Sequence, residues 1–167
     1  MRSQTKPNRW SCVVTAFAMA IDIPVTDFIR EVGHDGSELI VPFAPEPSGR
    51  KGFHVQECIT VALAHGFAAT PIELFPSSRY VGDHIKSITF PPATHTCDGN
   101  WERFTAHIYS GRGVLTGAGR STFHAVGFDR GEIHDPDDGS SFNYSRQACE
   151  SRGFYTQTLW RVDRITT

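Results

Sequence analysis

At residues 11–12 a polar, proline-containing loop gives way abruptly to the apolar run Cys12-Val-Val-Thr-Ala-Phe-Ala-Met-Ala20. The junction predicts a helix that starts there, with Ser11 as N-cap and Cys12 in the first turn. The free N–H groups and positive dipole end of a helix stabilise an anion placed beside them. A thiolate is such an anion, so Cys12 stands apart from the small, buried, inert cysteine that is the usual case. Trp10, just before it, is positioned to form one wall of a cleft.

The rest of the chain reads as helices first and strands later. Pro24 breaks the first run, and Thr26 is expected to cap a short helix through Phe28, Ile29 and Val32 to Gly33. Residues 36–52, with Pro42, Pro45 and Pro47, hold too many breakers for regular structure. His54 to His65 reads as a helix with Val55, Cys58, Ile59, Ala62 and Leu63 on one face, which makes Cys58 a core residue. Ile72 to Phe75 is expected as a strand, and Asn100 as the cap of a helix through Trp101, Phe104 and Ile108. Strands are expected at Gly113–Gly117 and Phe154–Ile165, and a short helix at Tyr144–Arg152. The expectation is an α+β single domain over residues 1–167, its N-terminal helical part packed on an antiparallel β-sheet.

The general base for an activated thiol should be a histidine distant in sequence. Of eight histidines, His124 has the best setting. Thr122, Phe123, Val126 and Phe128 make its segment a strand, Asp129-Arg-Gly131 a hairpin turn, and Glu132–Asp135 the return. A turn of two or three residues sets His124 opposite a position between Asp135 and Asp137, within about 5 Å at the Cβ atoms if directly paired. Pro136 ends the strand and fixes the chain after Asp135, which makes Asp135 the preferred orienter and Asp137 the reserve. Asp138 reads as an ordinary turn residue. His134 and Asp135 are strand neighbours pointing to opposite faces, so they do not form a rival pair.

These residues carry a resemblance. Gln4, seven intervening residues, then Ser-Cys12-Val-Val-Thr-Ala-Phe-Ala-Met resembles the amino-terminal motif of papain-like cysteine peptidases, the bacteriocin-processing, double-glycine branch above all. Phe-His124-Ala-Val-Gly-Phe-Asp and Ile-His-Asp135-Pro are similar to that branch's histidine strand and Asp-Pro strand end. The resemblance implies a papain-like fold in which Cys12 is nucleophile, His124 base and acid, Asp135 orienter, and the Gln4 side-chain amide an oxyanion donor. It implies a peptide or protein substrate and no cofactor. Two features depart from the pattern. Val13 replaces the small glycine often found after the nucleophile, where it would crowd the oxyanion site, and the His-to-Asp connection is short. The alternatives are a deamidase- or transglutaminase-type acyl transferase, or a catalytically idle domain of this fold that binds a partner protein.

Other functions find little footing. The net charge is −2, and Arg2, Lys6, Arg9 and the Arg50-Lys51 pair read as solvated surface, so nucleic acid is not an expected partner. The glycine cluster 111–119 lacks a phosphate-loop pattern, since Val114 holds the first glycine position and Arg120 the lysine; it reads as a close backbone passage. Cys12, Cys58, Cys97 and Cys149 have no paired metal spacing, and His95, Cys97 and Asp98 read as a loop. Neither a secretory leader nor a membrane-length apolar run is evident, so the expectation is a cytoplasmic protein with free thiols and no membrane partner. None of these features fixes an oligomeric state.

Overall fold

Helix α1 (Cys12–Ala20) starts at the sequence junction, and every residue from Val13 to Ala20 is buried. A helix enclosed all round has to lie inside the molecule rather than on it. The computed structural model describes residues 1–38, 52–74, 98–120 and 123–166. The expectations for the Pro-rich segment 39–51 and for Phe75, His95 and Cys97 fall outside the described residues. Helix α2 (Val25–Val32) follows at Pro24, with Thr26 inside its first turn rather than capping it, and Gly33 closes it in the left-handed conformation. Helix α3 (Val55–Ala64) opens with a capping box between His54 and Glu57.

Strand β1 (Phe67–Glu73), helix α4 (Asp98–Ser110), strands β2 (Arg112–Ala118), β3 (Phe123–Asp129), β4 (Glu132–His134) and β5 (Ser141–Asn143), helix α5 (Arg146–Ser151) and strand β6 (Tyr155–Arg164) complete the described elements. The strands form one antiparallel sheet in the order β1-β6-β2-β3-β4-β5. The fold is therefore α+β, as expected.

The core holds the N-terminal helices on the sheet, as expected, and adds helices on its other face. Val114, Ala125 and Val162 join α1, α2 and α3 in one apolar cluster. Leu115, Val126, Phe128 and Leu159 join Phe104 and Ile108 of α4 and Cys149 of α5 in another. Alternate residues of the central strands face opposite ways, so helices cover both faces of the sheet. Smaller differences have local causes. β1 begins at Phe67 because its pairing with β6 runs from there. α4 begins at Asp98, which puts Asn100 inside it. Ser145, not Tyr144, starts α5, its hydroxyl accepting from the Ala148 N–H at 3.0 Å. β5, at three residues, is too short to show an alternation in the sequence.

Two features position the histidine strand. Arg130 (φ 49°) and Gly131 (φ 89°) make a tight two-residue turn between β3 and β4. Gly113 and Gly117 lie so close to β6 that a Cβ on either would overlap the carbonyl oxygen of Trp160 or Tyr155. That is the close backbone passage expected of the glycine cluster. No single helix among the described residues is long and apolar enough to cross a membrane.

Candidate active site

The loop before α1 is tied into a fixed shape. Asn8 Oδ1 accepts from the Trp10 N–H at 2.8 Å and from the Ser11 hydroxyl at 2.6 Å. The Lys6 N–H donates to the Pro136 carbonyl at 2.8 Å, joining this loop to the one after β4. Ser11 sits at the N-cap position but does not cap: its hydroxyl is spent on Asn8, and the helix start has no side-chain cap. The first-turn N–H groups, which have no helical acceptor of their own, are thereby left for something else. Cys12, half-buried at that start, is the nearest candidate.

His124 faces Cys12 from the start of β3. Its Nε2 lies 3.0 Å from Asp135 Oδ1, and it shares the cleft with the Cys12 side chain, which raises its proton affinity. With Nε2 taken by Asp135, Nδ1 is the nitrogen left for sulfur. Phe154 packs edge-on against the imidazole, ring centroids 5.6 Å apart, which limits its rotation. The Asp135 side chain is fixed in turn by the Asp137 N–H at 2.9 Å, and its backbone by Ser140 and Gly139. The expected nucleophile, base and orienter are therefore adjacent.

The electrostatics follow from this geometry. Burial disfavours a charged imidazole, but the hydrogen bond to Asp135 and the interaction with the Cys12 side chain outweigh it and push His124 up to about 10. Burial would raise Asp135, yet its bonds to His124 and to the Asp137 N–H hold it below the usual carboxylate range. The buried thiols behave differently: desolvation pushes Cys149 up to about 12 and Cys58 higher still.

Gln4 is not brought to this site. Its Nε2 donates to the Ile23 carbonyl at 2.8 Å, and its Oε1 accepts from the Val25 N–H at 2.8 Å. Both halves of the amide close the turn between α1 and α2, at the far end of α1 from Cys12. The expected oxyanion donor is thus a structural clamp. The departure at Val13 also resolves differently from expectation, because its side chain is packed in the core, 5 % exposed, and does not line the cleft.

The cleft, of about 460 Å³, holds Cys12, His124 and Asp135 together with residues that the sequence did not single out for it. Lys6 pairs with Asp137, whose Oδ1 is 3.7 Å from His124 Nδ1. Arg9, Arg120 and Arg152 line the cleft as well; Arg9, expected with Lys6 to be plain surface, lies over the Trp10 ring, 4.1 Å to the centroid. Proximity of Lys6 and Arg9 to Cys12 in the chain was a usable signal, whereas nothing in sequence joins Arg120 to Arg152. His124, Asp135 and Asp137 each place one donor atom within 4.8 Å of the others. A metal there would have to displace both the Lys6 ammonium and the imidazole proton. No family model matches the chain, and no curated protein matches it in sequence.

Proposed function

We propose that this protein is a cysteine-dependent acyl-transfer enzyme acting on peptide or amide bonds, a papain-like peptidase in fold and mechanism. The observation that carries the reading is His124 held between Asp135 and a thiol at an uncapped helix start. A helix packed on an antiparallel sheet, with the thiol on one and the histidine on the other, is the arrangement such chemistry uses.

In this mechanism His124 Nδ1 takes the Cys12 proton, and Asp135 stabilises the imidazolium. The thiolate attacks the substrate carbonyl carbon, forming the C–S bond and turning the carbonyl oxygen into an oxyanion. The first-turn N–H groups of α1, Cys12 included, receive that charge. Collapse breaks the C–N bond as His124 passes its proton to the leaving amine. Water then gives a proton to His124 and attacks the acyl carbon, releasing acid and thiol. An amine in place of water would give amine transfer, and a side-chain amide as donor would give deamidation, with the same residues.

A second reading has one observation behind it. The Gln4 amide is committed elsewhere, so the oxyanion would rest on backbone donors, as suits an idle domain that binds a partner protein. Alkylation separates the two. At mildly acidic pH, iodoacetamide should modify Cys12 far faster than Cys58, Cys97 or Cys149, and His124→Ala should abolish that selectivity in a folded protein. Equal reaction of all four thiols, unchanged by His124→Ala, removes the enzyme reading.

A further inference from the structure

The cleft residues divide into those whose charge is matched and those whose charge is not. Each carboxylate is engaged: Asp135 with His124, Asp137 with Lys6, and Asp138 with the Ser140 N–H at 2.9 Å. The three rim guanidinium groups, among the described residues, have no carboxylate in ion-pair contact. Arg9 lies on the Trp10 ring. Arg152 lies 4.2 Å over the Phe142 ring, with Nη1 3.4 Å from the Ser140 hydroxyl. Arg120 Nε donates to the Arg152 carbonyl at 3.3 Å. Its Nε would stand 2.9 Å from a Cβ on Gly153, so the glycine leaves Arg120 a seat against the backbone.

Guanidinium groups held by rings and carbonyls keep N–H donors free for a planar two-oxygen acceptor. Four cationic side chains line the cleft against three carboxylates, and a thiolate–imidazolium pair adds no net charge. The cleft is therefore net positive on a chain whose net charge is −2. Asp135 and Asp138 feel Arg152 at a distance, but their contacts are made elsewhere. Arg152 and Gly153 directly precede Phe154, the ring packed on His124, so this positive edge adjoins the base.

We propose that the cleft selects acyl donors that carry a carboxylate beside the bond to be cleaved, held by Arg120 and Arg152, with Arg9 adding to the positive charge of the lining. The proposal rests on Cys12 being the nucleophile, and its test separates the two failures. Iodoacetate and iodoacetamide deliver nearly the same group, one with a negative charge and one without. Their rate ratio at Cys12, divided by the ratio for a small free thiol at low ionic strength, reads the local charge directly. We expect that quotient to be about tenfold above unity, the scale of local enrichment at a charged cleft. It should fall towards unity in about 1 M salt, where the screening length is about 3 Å, and in the double variant Arg120→Gln/Arg152→Gln.

The salt series uses the unmodified protein, so the test survives a variant that fails to fold. A quotient of unity that responds to neither salt nor the double variant overturns the proposal while leaving the nucleophile intact. A Cys12 no more reactive than Cys58 or Cys149 towards both reagents overturns the nucleophile reading and this proposal with it. The source of the carboxylate is found by protecting Cys12 from iodoacetamide with two pentapeptides. One has an internal glutamate and blocked ends; the other has no acidic side chain and a free C-terminus. Protection by the first assigns the charge to a side chain, protection by the second to a chain end, and either supports the proposal.

Discussion

The packed pair α1 and β3 has two ends furnished with the same kinds of groups. At the Ala20 and Asp129 end, the terminal ammonium of Met1 is 2.6 Å from Asp129 Oδ2, and Arg112 reaches Asp129 at 2.9 Å and Asp22 at 2.5 Å. The Gln4 amide is used on both sides close by. At the Cys12 and His124 end, an ion-pair system faces a cleft, the helix start is uncapped, and guanidinium groups lack carboxylate contacts. Closed networks hold structure, while open donors beside a cleft are available to a ligand. Two histidines of one hairpin repeat the contrast. His134 is buried with Nδ1 2.7 Å from the Ser3 hydroxyl, and burial pushes it down; His124 is pushed up.

The comparison breaks most readily at the open end. His124→Ala should slow Cys12 alkylation at about pH 6 and peptide turnover by about 10²- to 10⁴-fold, the usual worth of a positioned base, with the thermal unfolding midpoint nearly kept. Asp135→Ala should cost about a hundredfold in turnover, at the lower end of that range. Asp137→Asn, which leaves the Nε2 contact intact, should cost less. An equal or larger loss in Asp137→Asn would transfer the orienting role to it.

At the closed end the readouts should exchange. Asp129→Ala removes charge-assisted bonds to Arg112 and the terminal ammonium, and should lower stability by about 2 kcal/mol in denaturant unfolding. Gln4→Ala should lower it by about 1–2 kcal/mol for two lost hydrogen bonds, with the rate of Cys12 alkylation kept. A Gln4→Ala protein of unchanged stability but much reduced turnover would restore Gln4 to the oxyanion site.

What the sequence disclosed were features encoded within a few residues. The helix start at Cys12, the Arg130-Gly131 turn and the stop at Pro136 are local, and together they were enough to set Cys12, His124 and Asp135 on facing elements. The fate of Gln4 was not local. An amide bonds whatever the tertiary fold puts beside it, and its partners, Ile23 and Val25, lie beyond a whole helix. The same limit hid the Arg120 and Arg152 edge, 32 residues apart in the chain yet joined by a hydrogen bond. Burial of the sheet on both faces was also hidden. Val126 and Phe128 alternate with Ala125 and Gly127, small residues that carry little hydrophobic signal of their own and that face the α1 side.

The smallest effects sharpen the contrast between the two histidines. In a pH titration followed by imidazole NMR, His124 should stay protonated through neutrality and lose its proton near pH 10. In Cys12→Ala that midpoint should drop, because one of the two groups that raise it is gone while burial still opposes the charge. His134 should stay neutral to below its ordinary 6.5. Its folded state then binds fewer protons than the unfolded chain as pH falls, so its contribution to stability is present above about 6.5 and is lost below. His134→Asn should therefore flatten the acid side of the stability profile by a fraction of the roughly 1.4 kcal/mol that corresponds to a tenfold change in proton affinity. If His124 instead titrates near 6.5 and does not respond to Cys12→Ala, the two ends of the helix are electrostatically alike, and the thiol is no more than another packed cysteine.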